Sequence, residues 1–510
     1  MGKFRPKSKT GKNRQKWKRG QSSSSNPSKT KHRDAAKAKL LRVGFGVPEV
    51  PKSFENGPAR LTAESLLKHD ALMGNVSSGG GENQANSDAI SLGQTNKTFD
   101  TFASSVWSNC SNISFGRLLP RFNPSDPKHK EMLAILSAIN EVIKESRPDQ
   151  ESDSEDNEPS GVEYFGALLT SLDSSDTLET LSATISLLSI VIKTIDNEML
   201  QAKFSVSAKL LLELLSKHVQ SDDASVIRGI VGCLSILLRA QDTETWSYSS
   251  TQKVMDSLLP FVIDGRPKVR KAAHHAVCSI LASKDEHQTF HPVASKISDH
   301  LVQTIEENVN RNEKAVLHVL ILLKEILHVF PKASVKKVCE TVLEVMAMGN
   351  QMTLSCGFQA LHGLFSGRPS SKSLPADLNA KLISALYNYQ PAMDDSQPSV
   401  AWLTVMQEGL INLAEQDSLL FLEHLPKFFA KAIRYWVHGR DVSVAATTGM
   451  KAILNESVGS KIQEFDSESP QIKEVFQCIE RGLKYEFHES WAQVSQKSLI
   501  ISLHYLKKGV

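Results

Sequence analysis

Residue types capable of catalysis are present in this chain, but their spacing assembles no active constellation. His488-Glu489-Ser490-Trp491-Ala492 opens like a helical zinc-protease motif, yet Ala492 stands where the second imidazole ligand must fall one helical turn on. Gly79-Gly80-Gly81 runs into Glu82 rather than a Gly-Lys-Ser/Thr triplet, so it cannot cradle phosphates as a P-loop does. His274 and His275 are adjacent, point to different sides of a helix, and cannot form a two-imidazole face. The six cysteines (Cys110, Cys233, Cys278, Cys339, Cys356, Cys478) include no Cys-x-x-Cys pair, which argues against a zinc module or a disulfide framework and fits a reducing compartment. The reading is of a protein with no catalytic residues, no metal and no cofactor.

The residues that can do chemistry are cationic, and the chemistry is recognition of anions. Lys12, Arg14, Lys16, Lys18 and Arg19 form one cluster, and Lys29, Lys31 and Arg33 a second about ten residues on. Residues 1–42 hold fifteen Lys/Arg against the single acid Asp34, so the formal charge of +3 hides a basic arm on an acidic remainder. Two clusters at this spacing resemble a bipartite nuclear import signal, each cluster entering one acidic groove of an import receptor. The same charges can condense on RNA phosphates with little sequence preference and strong salt dependence. A second basic group, Arg266, Lys268, Arg270 and Lys271, opens a helix where positive charge opposes the macrodipole, and is the second candidate RNA contact. Aromatic residues are only 6% of the chain, which disfavours recognition of bases by stacking. The segment Asp149–Glu158 carries six acids and no base, and Ser152 within it fits an acid-directed kinase site.

These groups need elements to carry them, and the apolar pattern supplies helices. Met132, Leu136, Ile139 and Ile143 fall at steps of three or four, as do Leu178, Leu181, Ile185 and Leu188 with Val191 and Ile192. Val316, Leu320, Leu323 and Leu327 repeat the pattern, and so do Val335, Val338, Val342 and Val345. Segments of about 12–20 residues lie between breakers such as Asp264-Gly265 and Phe330-Pro331, with little period-two alternation. Trp402, Trp436 and Trp491 are expected in the core rather than in a cofactor cage. The fold class is all-α.

Helix openings at Asp223–Arg228, Pro267–Ala273 and Asp441–Ala446 share a Val followed by small residues, and Val226 and Val269 are separated by the ~43 residues of a HEAT-type helix pair. Neither helix of such a pair can bury its apolar face alone, so the pairs must stack into a HEAT/armadillo-like solenoid. The expected organisation is a disordered basic and polar arm over 1–100, with a short helix near Leu61–Leu72. First helices follow over 101–148, then an acidic loop over 149–160, HEAT-like repeats over 161–493 and a divergent tail over 494–510. Met1–Arg19 has no apolar core, so no signal peptide is read, and no apolar run is long enough to span a bilayer; a soluble protein without membrane insertion is expected.

The stretch from Trp17-Lys18-Arg19-Gly20-Gln21 through Asn26-Pro27 to His32-Arg33 resembles the N-terminal arm of the ribosomal RNA-processing protein twelve family. Collinear matches follow at Ser108–Phe115, Glu163–Leu168, Lys268–Ser279, Ala376–Ala380, Ala401–Met406 and Gly482–Tyr485, with Trp491. The resemblance implies a HEAT-repeat scaffold, nuclear and nucleolar, that joins small ribosomal subunit precursor particles, supports maturation of their RNA and helps export precursor subunits. It implies pre-ribosomal RNA as a partner and links to Ran GTPase and Phe-Gly nucleoporins. Family members continue well past this length and Ser495–Val510 departs from their pattern, so the resemblance covers an N-terminal portion. The rival reading is a nuclear transport adaptor that binds cargo and GTPase without ribosome specificity.

Overall fold

In the computed structural model the described residues are 127–145, 159–173, 177–221, 223–283, 289–348, 350–458, 470–484 and positions 496, 497 and 499. All of these lie in one compact unit. The basic arm, the helix expected near Leu61–Leu72, Ser152, Trp491 and most of the C-terminal tail fall outside them.

Sixteen helices of ten residues or more carry the described chain. The first eight are α1 Pro127–Glu145, α2 Gly161–Asp173, α3 Leu178–Val191, α4 Asn197–His218, α5 Ala224–Arg239, α6 Ser249–Leu258, α7 Pro267–Ala282 and α8 Ala294–Asn308. The second eight are α9 Glu313–Ile326, α10 Lys332–Met348, α11 Gln351–Ser366, α12 Ala376–Leu386, α13 Ser396–Gln416, α14 Ser418–Ala432, α15 Arg440–Ala452 and α16 Pro470–Leu483. Among the described residues there is no strand. Odd-numbered helices from α1 to α15 pack against one another in succession, and even-numbered helices form a second layer against them. This is the two-layer stack of a helical-repeat solenoid.

Local sequence explains where the helices begin. Thr177 accepts from Thr180 N at 3.2 Å, Asp223 from Ser225 N at 2.8 Å, Asn350 from Met352 N at 3.0 Å and Asp417 from Leu419 N at 2.9 Å. Each side chain satisfies one of the amide donors that a helix start leaves without a partner. The predicted stripes become the core: Met132, Leu136, Ile139 and Ile143 are buried, as are Val316, Leu320, Leu323 and Leu327. Leu178 is the exception at 42% exposed, because it sits in the first turn of α3 before the next helix arrives to cover it. Val226, Val269 and Val442 are all fully buried on the odd layer, so the three similar openings are equivalent positions of one repeat. Trp402 and Trp436 are buried too, donating to Leu386 O at 2.9 Å and Thr447 Oγ1 at 3.1 Å, which makes them core residues as expected.

Polar ties run along both layers. On the odd layer, the hydroxyls of Ser182 and Ser225 lie 3.1 Å apart across 43 residues, and those of Ser235 and Ser279 3.1 Å apart across 44. On the even layer Lys296 pairs with Asp256 at 2.7 Å, Lys337 with Asp299 at 2.7 Å and Lys332 with Asp377 at 3.9 Å. These pairs are exposed, so water screens them and each adds little to stability. Their regular step records the repeat more than it stabilises it.

One polar knot is less exposed. Arg368, just after α11 at φ 47°, lies 3.4 Å from Glu415, 3.9 Å from Glu408 and 4.0 Å from Glu456. Burial pushes the Glu408 carboxyl above the usual range, Arg368 opposes that shift, and Glu456 and Glu415 add to it. A carboxyl raised in the folded state favours folding at low pH and loses that contribution as pH rises. Arg368→Met leaves three carboxylates facing one another. Its expected penalty is about 1–2 kcal/mol at pH 7–8, below the range for fully buried pairs because water still reaches this one. The penalty should shrink towards pH 4, where carboxyls carry fewer charges. Urea melts across that range check it, and a pH-independent penalty would contradict it.

Candidate functional site

Three neighbouring odd helices, α3, α5 and α7, present small and basic residues on the face turned away from the core. The structural reason is periodicity: Arg228, Gly232, Ser235 and Arg239 recur at steps of three and four along α5, while Val226, Ile230, Cys233 and Leu237 fill its buried face. Lys268, Lys271, His275 and Ser279 form the matching row on α7, and Ser186, Ser189 and Lys193 the row on α3 and the turn after it. Where α3 and α5 meet, a side chain on Gly229 would strike Ile185 Cγ2 at 2.3 Å, so glycine permits the close approach. At Gly232 a Cβ would meet nothing within 4 Å, and the space above it is a groove of about 430 Å³.

The groove is electropositive. Lys193, Arg228, Arg239, Lys268 and Lys271 line it together with His275, and no Asp or Glu is among its described lining residues. Their fields converge. Burial lowers the His275 imidazole below its ordinary value, and the charges of Arg239, Lys193 and Lys271 lower it further, so it is held neutral near pH 7. Arg239 is itself partly withdrawn from water, its guanidinium lowered by burial, and its buried Nε has no acceptor among the described residues. A buried donor without an acceptor is costly, and a guanidinium is recognised best by bidentate oxyanions. Asp223, whose charge reaches Arg228, already accepts from the Ser225 amide and hydroxyl at 2.8 and 2.6 Å.

The basic group read from the sequence divides in two. Lys268 and Lys271, one turn apart, are exposed and line the groove. Arg266 instead forms a two-pronged pair with Asp264, at 2.9 and 2.7 Å, and donates to Ser221 O at 2.6 Å. Arg270 is 5% exposed and donates to Asp264 O at 2.7 Å. Burial would raise the Asp264 carboxyl, but Arg266 and Arg270 hold it below the usual range. For Arg266 and Arg270 the mismatch between basic residues and the helix dipole is therefore answered inside the chain by Asp264. Lys193, Arg228 and Arg239 do not stand out in the sequence, because each is isolated there, and His275 stands out only beside His274. The signal that could have found them is the helical projection of α5, where Arg228, Gly232, Ser235 and Arg239 fall on one side with no acid among them, Arg228 exposed and Arg239 half-buried.

Residues 114–371 match the family model for RRP12-like N-terminal HEAT repeats. The chain belongs to the RRP12-like family. It is 35% identical over 497 residues to the human RRP12-like protein, covering 94% of this chain and 37% of that one. To Ribosomal RNA-processing protein 12 of Saccharomyces cerevisiae it is 22% identical over 384 residues, covering 67% of this chain and 30% of that one. The chain thus spans only about a third of the length of these relatives. Among solved structures importin beta aligns at a TM-score of 0.41 and 15% identity, covering 67% of this chain and 42% of that one, too distant to support an argument. The match with the RRP12-like repeats includes α3, α5 and α7, so the groove lies wholly within the part that defines the family.

No group of three His, Cys, Asp or Glu residues among those described is placed to hold a metal ion. No described helix is long and apolar enough to cross a membrane. His274, one of the adjacent pair, is engaged with Val262 O at 2.8 Å and turns away from His275 in the groove.

Proposed function

We propose that the chain is a non-enzymatic scaffold of ribosome biogenesis, acting on small-subunit precursor particles in the nucleus and nucleolus. The observation that carries this reading is the RRP12-like family match over 114–371, joined to relatives named for ribosomal RNA processing. The geometry supports it: a two-layer stack offers a long continuous surface with fixed spacing between repeats, suited to holding several parts of a particle at once. In this reading the stack supports maturation of small-subunit RNA and export of the precursor. The basic arm at Lys12–Arg33 engages an import receptor, and Ran GTPase and Phe-Gly nucleoporins are partners during transit. Ser152 is the proposed phosphorylation site.

The test is affinity purification of the tagged chain from growing cells, with proteins and RNAs identified and the chain followed across a sucrose gradient. Small-subunit precursor RNA and assembly proteins should dominate, and the chain should co-sediment with precursor particles. Absence from those fractions, with varied import cargoes recovered in their place, would replace this reading with that of a transport adaptor.

A further inference from the structure

We infer that the groove across α3, α5 and α7 is a binding site for the phosphate backbone of single-stranded RNA. The inference rests on the ribosome-biogenesis reading for its choice of nucleic acid, and on the groove's chemistry for everything else. Arg228 and Arg239 stand eleven residues apart on one helix, which at 1.5 Å per residue separates their stems by about 16 Å. That distance accommodates a run of successive phosphates. Lys268 and Lys271 flank the run from α7 and Lys193 closes it from the turn after α3.

Three observations favour a polyphosphate strand over an acidic peptide. Arg239 holds a buried Nε with no acceptor among the described residues, in a wall that also carries the cationic donors of Lys193 and Lys271. Tetrahedral phosphates present acceptors in several directions and can meet such donors together. His275 stands among the cations as a neutral ring, able to donate or accept towards a ribose hydroxyl. Among its described lining residues the groove has no Phe, Tyr or Trp, so bases have no ring to stack on and the site follows the backbone without reading sequence. A duplex is less suited, since the cations sit inside a groove of about 430 Å³ and not on a convex ridge.

The experiment measures binding of a uridine 20-mer by fluorescence anisotropy at several salt concentrations. It uses the full chain with its six arm charges at Lys16, Lys18, Arg19, Lys29, Lys31 and Arg33 neutralised, so that the groove dominates the signal. Arg228→Glu combined with Lys271→Glu alters two exposed positions and should weaken binding at least tenfold. The salt dependence should fall by about 0.7 in log–log slope for each phosphate that the variant no longer neutralises. Gly232→Glu, which places a carboxylate on the groove floor where nothing crowds it, should do the same without lowering the melting temperature. Lys336→Glu on the even layer should leave affinity unchanged. Unaltered binding by both groove variants would overturn the proposal, and so would displacement of the RNA by an Asp/Glu-rich peptide at lower concentration than by a second RNA. Groove variants that fail to bind RNA yet still co-sediment with precursor particles would confirm the groove as an RNA site and leave the scaffold reading intact. A chain absent from those particles whose groove still binds the 20-mer would overturn only the scaffold reading.

Discussion

Gly363→Ala is expected to destabilise the repeat stack by about 3 kcal/mol, although the same change in an ordinary helix interior stabilises. Gly363 lies within α11, where the backbone of α9 comes so close that an added Cβ would stand 1.9 Å from Lys324 O and 2.7 Å from its carbonyl carbon. A backbone carbonyl cannot turn aside as a flexible side chain can. The methyl group must push two layer-forming helices apart, and α11 has no slack, since Phe358, Leu361, Leu364 and Phe365 are all fully buried around it. Because neighbouring repeats stabilise one another, the loss should spread to the flanking pairs. Gly232→Ala is the matched comparison: it too is inside an odd-layer helix, its Cβ meets nothing within 4 Å, and it should gain about 0.5–1 kcal/mol. Thermal melts of both variants, with amide exchange followed in α9 and α11, test the opposite signs. A Gly363→Ala chain that melts with or above the parent would contradict the close approach.

Helix propensity and periodicity make the two layers legible in the amino-acid pattern alone. The stripe through Val335, Val338, Val342 and Val345 needs only a 3.6-residue repeat to be recognised, and all four are buried. The repeat itself is visible because Val226 and Val269 occupy the same place in successive units, and a core position tolerates few side chains. The groove is not legible in the same way. Charge clustering along the chain draws attention to Arg266, Lys268, Arg270 and Lys271, but consecutive residues of a helix point in different directions, and only Lys268 and Lys271 share an exposed face. The remaining cations come from helices about forty residues apart, brought together by stacking. A basic run in a helical repeat therefore says less about surface charge than a sparse series of bases at steps of three and four. Arg270, buried and committed to Asp264 O, shows how far the linear impression can mislead.

Neutralising Lys16, Lys18, Arg19, Lys29, Lys31 and Arg33 together, by substitution with Gln, is expected to abolish nuclear accumulation while leaving the melting of the repeats unchanged. The two clusters act through coupled binding events. A receptor with two acidic grooves gains affinity from the second cluster only because the first already holds it nearby, and such coupling can raise avidity by about 10²–10⁴ over either cluster alone. The spacer of about ten residues between Arg19 and Lys29 sets the span over which the two events help each other. Altering one cluster should therefore reduce nuclear signal sharply without eliminating it, and altering both should leave a distribution like that of an unrelated cargo of this size. Ionic screening gives an independent handle, because a contact built on Lys and Arg weakens with salt whereas one built on apolar docking does not. Imaging of fluorescent fusions, paired with pull-down of import receptors at two salt concentrations, measures both effects. Full nuclear localisation of the six-fold variant would show that the stack, and not the arm, carries the import determinant, and receptor capture indifferent to salt would exclude the two basic clusters as its basis.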